Sequence, residues 1–345
     1  MHKPGYRFAL LGLLLGFVVV VLGAYTRLTH AGLGCPDWPG CYGFLSVPRG
    51  DSALQAAQMR FPDSPVESFK AWAEMIHRYA AGTLGLVILG LALFSLRHRR
   101  EDGYPVGLSF GLLVLVICQA AFGMWTVTLK LWPQVVTAHL LGGFATLSLL
   151  LLMCLRLHGG MHPLGGAGRA SLRRIARVAL AVVILQVALG GWTSSNYAAL
   201  ACTDLPTCHG EWWPDMNFAA GFDVFHEIGP NYLGGILDGA GRTAIHFAHR
   251  VGALITTLTV LFLARRLLRA GLPSLAGLVA LALMVQVALG VTNVLAHLPL
   301  AVAVAHNAGG ACLLLVMVAV NYRLRSPGKA AIFARPHPGS ALASH

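Results

Sequence analysis

Long apolar stretches alternate with short polar segments along this chain, and eight of the stretches are long enough to cross a membrane. A helix that spans the hydrocarbon layer needs about 20 apolar residues. The stretches lie at 7–29, 73–96, 106–129, 134–156, 173–197, 243–264, 273–294 and 299–321. They are too long for membrane strands of ~10 residues, and lipid requires every backbone polar group to be paired within the protein. The pattern therefore predicts an all-α integral membrane protein with eight transmembrane helices.

The composition agrees with this architecture. Hydrophobic residues make up 56% of the chain and charged residues 11%, whereas soluble domains carry about 25% charged residues. The first apolar stretch follows Lys3 and Arg7, as in a secretory signal peptide. It is too long for the apolar region of such a peptide and ends in no small-x-small cleavage site. We therefore interpret it as the first transmembrane helix.

The charges are divided between the two sides of the predicted membrane protein. Of 25 Lys and Arg residues, 17 lie at the chain ends or after helices 2, 4 and 6, and 11 of the 13 acids lie on the other side. Basic residues mark the cytoplasmic side. We therefore expect cytoplasmic termini, external segments at 30–72 and 198–242, and a place in the cell membrane. The net charge of +12 then reflects orientation and contact with anionic lipid, and we expect no nucleic-acid partner.

The two external segments are longer than plain connectors. Each is predicted to contain a short amphipathic helix near the membrane surface, at 51–61 and at 223–238.

The chain repeats itself. Three segments recur: Cys35–Cys41 as Cys202–Cys208, Ala138–Gly143 as Ala305–Gly310, and His77-Arg78 as His249-Arg250. The repeat predicts two pseudo-symmetric four-helix bundles in a parallel arrangement. The predicted divisions are 1–157 for the N-terminal half, 158–172 for a cytoplasmic linker, 173–322 for the C-terminal half and 323–345 for a basic tail.

Four histidines occupy matching places in the two halves. His77, His139, His249 and His306 all lie on even-numbered helices, close to the outer end, and therefore at one depth. Bundle interiors are where cofactors are held by facing side chains, so we expect His77 to face His139 and His249 to face His306.

Small residues follow each of these histidines on the same helix face. They are Ala80 and Ala81, Gly142 and Gly143, Gly252 and Ala253, and Gly309 and Gly310. A helix face that carries only small side chains leaves room for a large planar molecule. We therefore interpret the four histidines as paired axial ligands of haem iron. The alternatives are histidines hydrogen-bonded across a bundle and ordinary small-residue packing.

Two further sets of residues recur near these histidines. Arg78 and Arg250 follow the first histidine of each half, and a guanidinium there can reach outward to a haem propionate. The odd-numbered helices carry a second echo: Gln119, Gly123, Trp125 and Thr126; Gln186, Gly190, Trp192 and Thr193; Gln286, Gly290 and Thr292. We interpret this echo as helix packing, with contact to the cofactor as the alternative.

The halves differ beside the histidines. Glu74 precedes His77 by one turn, and His246 stands at the matching place in the C-terminal half, while Arg27 aligns with Ser194. An ionisable group inside the membrane is a functional candidate. This difference favours chemistry in the N-terminal half and a fixed cofactor in the C-terminal half. The alternative is an interfacial carboxylate paired with Arg78 or Arg27.

The external cysteines form two C-x5-C pairs, Cys35–Cys41 and Cys202–Cys208. Disulfides persist outside the bacterial cytoplasm, and a turn between the cysteines permits the ~5.5 Å Cα separation of a bridge. Each pair is either a structural staple or a redox-active disulfide. Nearby partners of the usual zinc pattern are lacking.

Residues 7–322 resemble the haem A synthase family. The resemblance rests on the eight helices in two halves, Glu74-Met-Ile-His77-Arg78, His139 in Ala-His-Leu-Leu-Gly-Gly, His249-Arg250, His306-Asn307 and the cysteine pair after the first helix. It implies oxidation of the C8 methyl group of haem O to the formyl group of haem A. His77 and His139 would then flank the substrate haem, Glu74 would be the catalytic carboxylate, and His249 and His306 would hold a haem b.

The resemblance also implies partners. These are the haem O substrate, a haem O synthase, an external electron carrier such as a quinol or redox protein, membrane lipid and a second copy of the chain in a homo-oligomer. Two rival functions remain open from the sequence: a diheme b-type electron-transfer cytochrome and a non-enzymatic haem carrier. Four ligands at one depth argue against the first, and Glu74 has no purpose in the second.

Overall fold

A computed structural model describes residues 2–159, 164, 169–225 and 227–325. Within them it contains ten helices and no strand. The helices are α1 (Tyr6–Leu28), α2 (Asp51–Arg60), α3 (Ser68–Arg97), α4 (Val106–Thr128), α5 (Pro133–Leu157), α6 (Ala170–Ser195), α7 (Phe218–Gly221), α8 (Gly239–Arg269), α9 (Pro273–Leu295) and α10 (Leu300–Leu324). All except α2 and α7 are long and apolar enough to cross a membrane. The prediction of an all-helical, multi-pass membrane protein is confirmed.

The short external helices agree with the sequence prediction in one segment only. Helix α2 matches the prediction at 51–61. The prediction at 223–238 is wrong, because its described residues form turns and extended chain after the single turn of α7. Gly229, Gly234 and Gly235 have positive φ angles of 137°, 85° and 77°, and Pro230 cannot donate to a helix. His226 lies outside the described residues, as do most of the predicted linker and nearly all of the tail.

Helices α1, α4, α6 and α9 end in the same way. Each is followed by a residue with positive φ: His30, Lys130, Tyr197 and His297. The next backbone N–H donates to a carbonyl of the last helical turn: Ala31 to Thr26, Leu131 to Thr126, Ala198 to Thr193 and Leu298 to Asn293. This is the Schellman type of helix end. One turn is thus used four times to lead toward the next long helix.

The long helices contact one another in two closed rings. Helix α1 packs against α3 and α5, and α4 packs against the same two helices, so α3 and α5 stand diagonally. In the same way α6 and α9 each pack against α8 and α10, which are diagonal. Helices α1 and α5 pack against α10, and α5 also packs against α6. The rings therefore share one contact surface.

Two smaller buried apolar clusters lie toward the cysteine end of the rings, and the two larger clusters fill the end that is remote from the cysteine pairs. One cluster includes Leu84, Ile88, Leu91, Leu112, Leu150 and Met153. The other includes Val183, Val260, Leu263, Leu283, Leu314 and Met317. Packing at this end fixes the helices, because close-packed side chains resist rearrangement. The opposite end, where the four histidines lie, is less completely filled by apolar side chains.

Candidate functional site

Each of the four histidines packs against a glycine of the preceding long helix. A Cβ atom on that glycine would lie 3.0–3.4 Å from the imidazole Cε1 atom. The pairs are Gly23 with His77 (3.0 Å), Gly123 with His139 (3.4 Å), Gly190 with His249 (3.2 Å) and Gly290 with His306 (3.1 Å). Such contacts are tight for a real side chain, so glycine lets the Cε1 edge of each ring approach the neighbouring helix closely.

The histidines stand on diagonal helices of each ring. His77 on α3 and His139 on α5 lie close enough to interact electrostatically, and so do His249 on α8 and His306 on α10. The two histidines of each pair therefore lie on helices that do not pack directly against each other, and their facing across the interior stays a prediction.

The interior at this level is not closely filled. Residues 136–143 of α5 and 304–310 of α10 are all half-buried, although the histidines among them face inward. The described residues contain no group of three or more His, Cys, Asp or Glu side chains that could hold a metal ion. Two imidazoles with small residues beside them suit a metal whose remaining ligands belong to a macrocycle. The residues present therefore fit haem.

Glutamines support the histidines of the C-terminal half. Gln186 Nε2 lies 3.1 Å from His249 Nδ1. Gln286 Nε2 lies 3.3 Å from Nδ1 and 3.4 Å from Nε2 of His306. In the N-terminal half, Nδ1 of His77 and of His139 is buried without a hydrogen-bond partner in the described part of the chain. The recurrence of these glutamines in the sequence predicts helix packing, and the structure adds their contact with the histidines.

Glu74 is 4% exposed and serves the first disulfide loop. Its Oε1 atom forms an ion pair with Arg78, and its Oε2 atom accepts a hydrogen bond of 2.9 Å from the Cys35 backbone N–H. His246 does the same for the second loop, since its Nδ1 accepts from the Cys202 N–H at 3.1 Å. Two different side chains therefore anchor the same point of the two loops.

Arg78 and Arg250 also hold these loops. Arg78 Nη1 donates to the Asp37 carbonyl at 2.9 Å and to the Gly40 carbonyl at 2.5 Å. Arg250 donates to the carbonyls of Thr207 at 2.8 Å and Cys202 at 2.9 Å. The structure thus gives both guanidinium groups a loop-holding role, and the propionate contact stays a prediction.

Both cysteine pairs lie at disulfide distance, with Cα separations of 4.8 Å for Cys35–Cys41 and 5.0 Å for Cys202–Cys208. An aspartate closes each loop. Asp37 accepts from the backbone N–H groups of Tyr42 (2.6 Å) and Gly43 (2.7 Å), and Asp204 accepts from those of His209 (2.8 Å) and Gly210 (3.0 Å). The Thr207 hydroxyl and these N–H groups hold the pKa of Asp204 well below its usual range.

Arg27 has a different partner from the one that the sequence offered. Its guanidinium donates to the carbonyl of Ser194 and lies over the Tyr197 ring, 3.9 Å from the centroid. The same Tyr197 ring stacks with His30, and the two ring centroids are 5.5 Å apart. Glu74 therefore pairs with Arg78 and not with Arg27, and Arg27 joins the two halves.

A multi-pass membrane protein with two pairs of histidines on diagonal helices is the class that this fold and this site define. The sequence profile of the cytochrome oxidase assembly protein family matches residues 6–318. The chain belongs to this family. A protein of Shewanella oneidensis named "Heme A synthase" is 49% identical over 89% of this chain and 92% of its own length. Proteins of the same name from Caulobacter vibrioides and Paracoccus denitrificans are 30% and 29% identical, over 90% and 94% of this chain and 93% and 90% of their own.

Proposed function

We propose that this chain is a haem A synthase, an oxidoreductase that converts the C8 methyl group of haem O to the formyl group of haem A. The observation that carries the proposal is the pair of diagonal histidines in each ring, with glycine beneath every imidazole. The family membership and the named relatives support the same activity.

The two histidine pairs are assigned different haems. His249 and His306 hold a resident haem b, and His77 and His139 receive the haem O substrate. The assignment is supported by the side chain one turn before the first histidine, which is Glu74 in one half and His246 in the other. Haem b, when bound, supplies an electron-transfer centre. An external carrier, a quinol or a redox protein, would donate electrons to this centre, and molecular oxygen or water would supply the oxygen atom of the formyl group.

Glu74 is the catalytic carboxylate of this proposal. Its Oε1 atom is paired with Arg78 and its Oε2 atom is bonded to the Cys35 N–H, so the group is held in one place. Oxidation of a methyl group requires proton transfer at the reacting edge of the haem, and a positioned carboxylate can relay those protons. Burial of Glu74 keeps bulk water away from that transfer.

The two-bundle architecture with cytoplasmic termini belongs to the same proposal. Two contacts support it: Arg27 donates to Ser194 and the Tyr322 hydroxyl donates to the Leu155 carbonyl, each joining residues 167 positions apart. Residues related by the internal repeat meet in this way only beside a two-fold axis between the halves. The divisions at 1–157, 158–172, 173–322 and 323–345 are part of this proposal. The loops with the cysteine pairs face outward, where disulfides persist.

Pigment extraction tests the proposed activity. Cells that express the chain are compared with cells that express Glu74→Gln, and the haems are separated by reversed-phase chromatography. We expect haem A with the unaltered chain, and haem O or its alcohol with Glu74→Gln. Haem B alone in both would favour the diheme cytochrome, and exchangeable haem in both halves without haem A would favour a carrier.

The same experiment extends to the proposed partners. Co-expression with a haem O synthase raises the supply of substrate, so haem A should increase in proportion if haem O is the substrate. Cross-linking in membranes, followed by mass determination, tests association with that enzyme and with a second copy of the chain.

A further inference from the structure

A glutamine and a glycine accompany the histidine in three of the four helix pairs. The glutamine lies four residues before the glycine under the imidazole, and the second glycine lies three residues after the histidine. The sets are Gln119 with Gly142, Gln186 with Gly252, and Gln286 with Gly309. A Cβ atom on any of these second glycines would collide with the glutamine amide. The second glycine therefore makes room for the glutamine.

The α1–α3 pair lacks both residues. Val19 stands where the other pairs have glutamine, and Ala80 stands where they have the second glycine. The Val19 backbone carbonyl lies beside the His77 ring, but the Val19 side chain offers the ring no polar group. His77 is thus the one histidine of the four whose helix pair carries no glutamine.

The glutamine is present but unused in the α4–α5 pair. Nδ1 of His139 is buried without a hydrogen-bond partner among the described residues, whereas Oε1 is unpartnered in Gln119, Gln186 and Gln286 alike. By contrast, the amide nitrogen of Gln186 reaches both the ring and the backbone carbonyl of His249, at 3.1 and 3.0 Å. The histidines in contact with a glutamine amide therefore both belong to the C-terminal half.

We infer that Gln186 and Gln286 are positioning residues that make the C-terminal half retain its haem, and that the N-terminal half, where no glutamine hydrogen-bonds a histidine, is able to exchange its haem. This inference rests on the proposed function. A hydrogen bond to the second nitrogen of a metal-binding histidine fixes the orientation of the ring, and its loss typically costs 10–100-fold in metal affinity. A terminal amide carries both an oxygen and an N–H group. Glutamine can therefore accept a hydrogen bond from a protonated ring nitrogen or donate one to an unprotonated ring nitrogen.

Substitution in the C-terminal half tests the first part. Purified protein with its bound haem is mixed with excess apomyoglobin, and the rate of haem transfer is followed by absorption. Gln186→Met and Gln286→Met keep the side-chain length and remove the hydrogen bond, so we expect about 10-fold faster transfer. We also expect a changed low-spin electron paramagnetic resonance spectrum, because that spectrum reports the orientation of the two imidazoles. Gln286→Glu keeps an acceptor and should restore slow transfer.

Gln119→Met is the matched control. The residue has the same place in the repeat and makes no hydrogen bond with its histidine, so the substitution should leave the transfer rate and spectrum of the C-terminal haem unchanged.

A transplant tests the second part. Val19→Gln together with Ala80→Gly rebuilds the missing pair beside His77. Haem O bound to the N-terminal half of this variant should dissociate about 10-fold more slowly than from the unaltered protein, measured by the same transfer to apomyoglobin.

The outcomes separate this inference from the proposed function. An unaltered protein that purifies with no bis-histidine haem contradicts the assignment of the C-terminal site. If the unaltered protein holds that haem, and the Met variants lose it at the unaltered rate with an unaltered spectrum, the inference is overturned. Equal acceleration in Gln286→Met and Gln286→Glu would also overturn it, since packing and not a hydrogen bond would then be responsible.

Discussion

The two disulfide loops are held in almost the same way, whereas the two histidine pairs beneath them are not. Each loop has an arginine on its carbonyl groups, an aspartate on its last N–H groups and a side chain of the next long helix on its first cysteine. Among the histidines, those of the C-terminal half are within hydrogen-bonding distance of glutamines. Those of the N-terminal half have unpartnered Nδ1 atoms.

The difference shows where the two halves have diverged. Contacts that fix the backbone persist in both copies, and the copies differ in polar groups that touch or adjoin the histidines: Glu74 against His246, and Val19 against Gln186. A duplicated scaffold can keep its packing while one site changes its chemistry, because sites depend on few side chains and folds on many.

Removal of one histidine from each half gives the largest expected difference. His77→Ala and His249→Ala should both lower haem A formation by ~100-fold or more, because either haem is needed for the reaction. Only His249→Ala should also remove the resident haem. The ratio of haem to purified protein, measured as the pyridine haemochrome, distinguishes them. Equal haem contents in both variants would contradict the assignment of sites to halves.

Exchange of the loop-anchoring side chains should have the next largest effect. Glu74→His retains an acceptor for the Cys35 N–H but removes the carboxylate, so product formation should fall by about 10²–10⁴ if Glu74 moves protons. His246→Glu, the matched change, should cost far less activity. Product is measured by chromatography after normalisation to the amount of folded protein. Similar losses in both variants would assign Glu74 to loop structure alone.

Removal of the disulfides compares the loops directly. The double variants Cys35→Ser/Cys41→Ser and Cys202→Ser/Cys208→Ser each open a bridge between residues six positions apart. Each should lose ~2 kcal/mol of stability from loop closure. Thermal unfolding measures that loss, and haem A formation is measured alongside it. Removal of a purely structural disulfide should lower stability and haem A formation in parallel. A loss of haem A formation that exceeds the loss of stability in one variant identifies a redox-active pair.

Acid should loosen the C-terminal loop, and this effect is the smallest. The pKa of Asp204 is lowered in the folded protein by the Thr207 hydroxyl and the backbone N–H groups. The contribution of the Asp204 carboxylate to the stability of the loop is therefore complete above its unfolded pKa of ~3.9. It is lost as the pH falls toward the lower pKa of the folded protein. Reduction of Cys202–Cys208 by a phosphine should become faster over that window. Asp204→Asn should be fast throughout and lack the pH dependence.

The helices and the histidines were predictable from the sequence because both follow from periodic features. An apolar stretch of membrane length specifies a helix without reference to its neighbours, and the repeat identified the histidines by position alone. The failed prediction at 223–238 concerned a segment whose glycines and proline outweigh its amphipathic pattern.

The partners of the polar side chains were not predictable in the same way. Arg78, Arg250 and Arg27 each bond to backbone carbonyls that lie far away in the sequence, and a carbonyl carries no residue-specific signal. Each glycine beneath an imidazole resembles any small residue of a helix contact. Only the contacts between helices distinguish it.

The meeting of Tyr322 with Leu155, and of Arg27 with Ser194, bears on the origin of the chain. In a symmetric dimer, a residue near the axis touches its own copy. Contacts between repeat-related positions are therefore what a pair of separate four-helix subunits would leave behind after their genes fused. Two fragments produced by dividing the chain between α5 and α6 should still associate in a membrane. The fragment that carries α6–α10 is expected to bind the resident haem and to show its absorption.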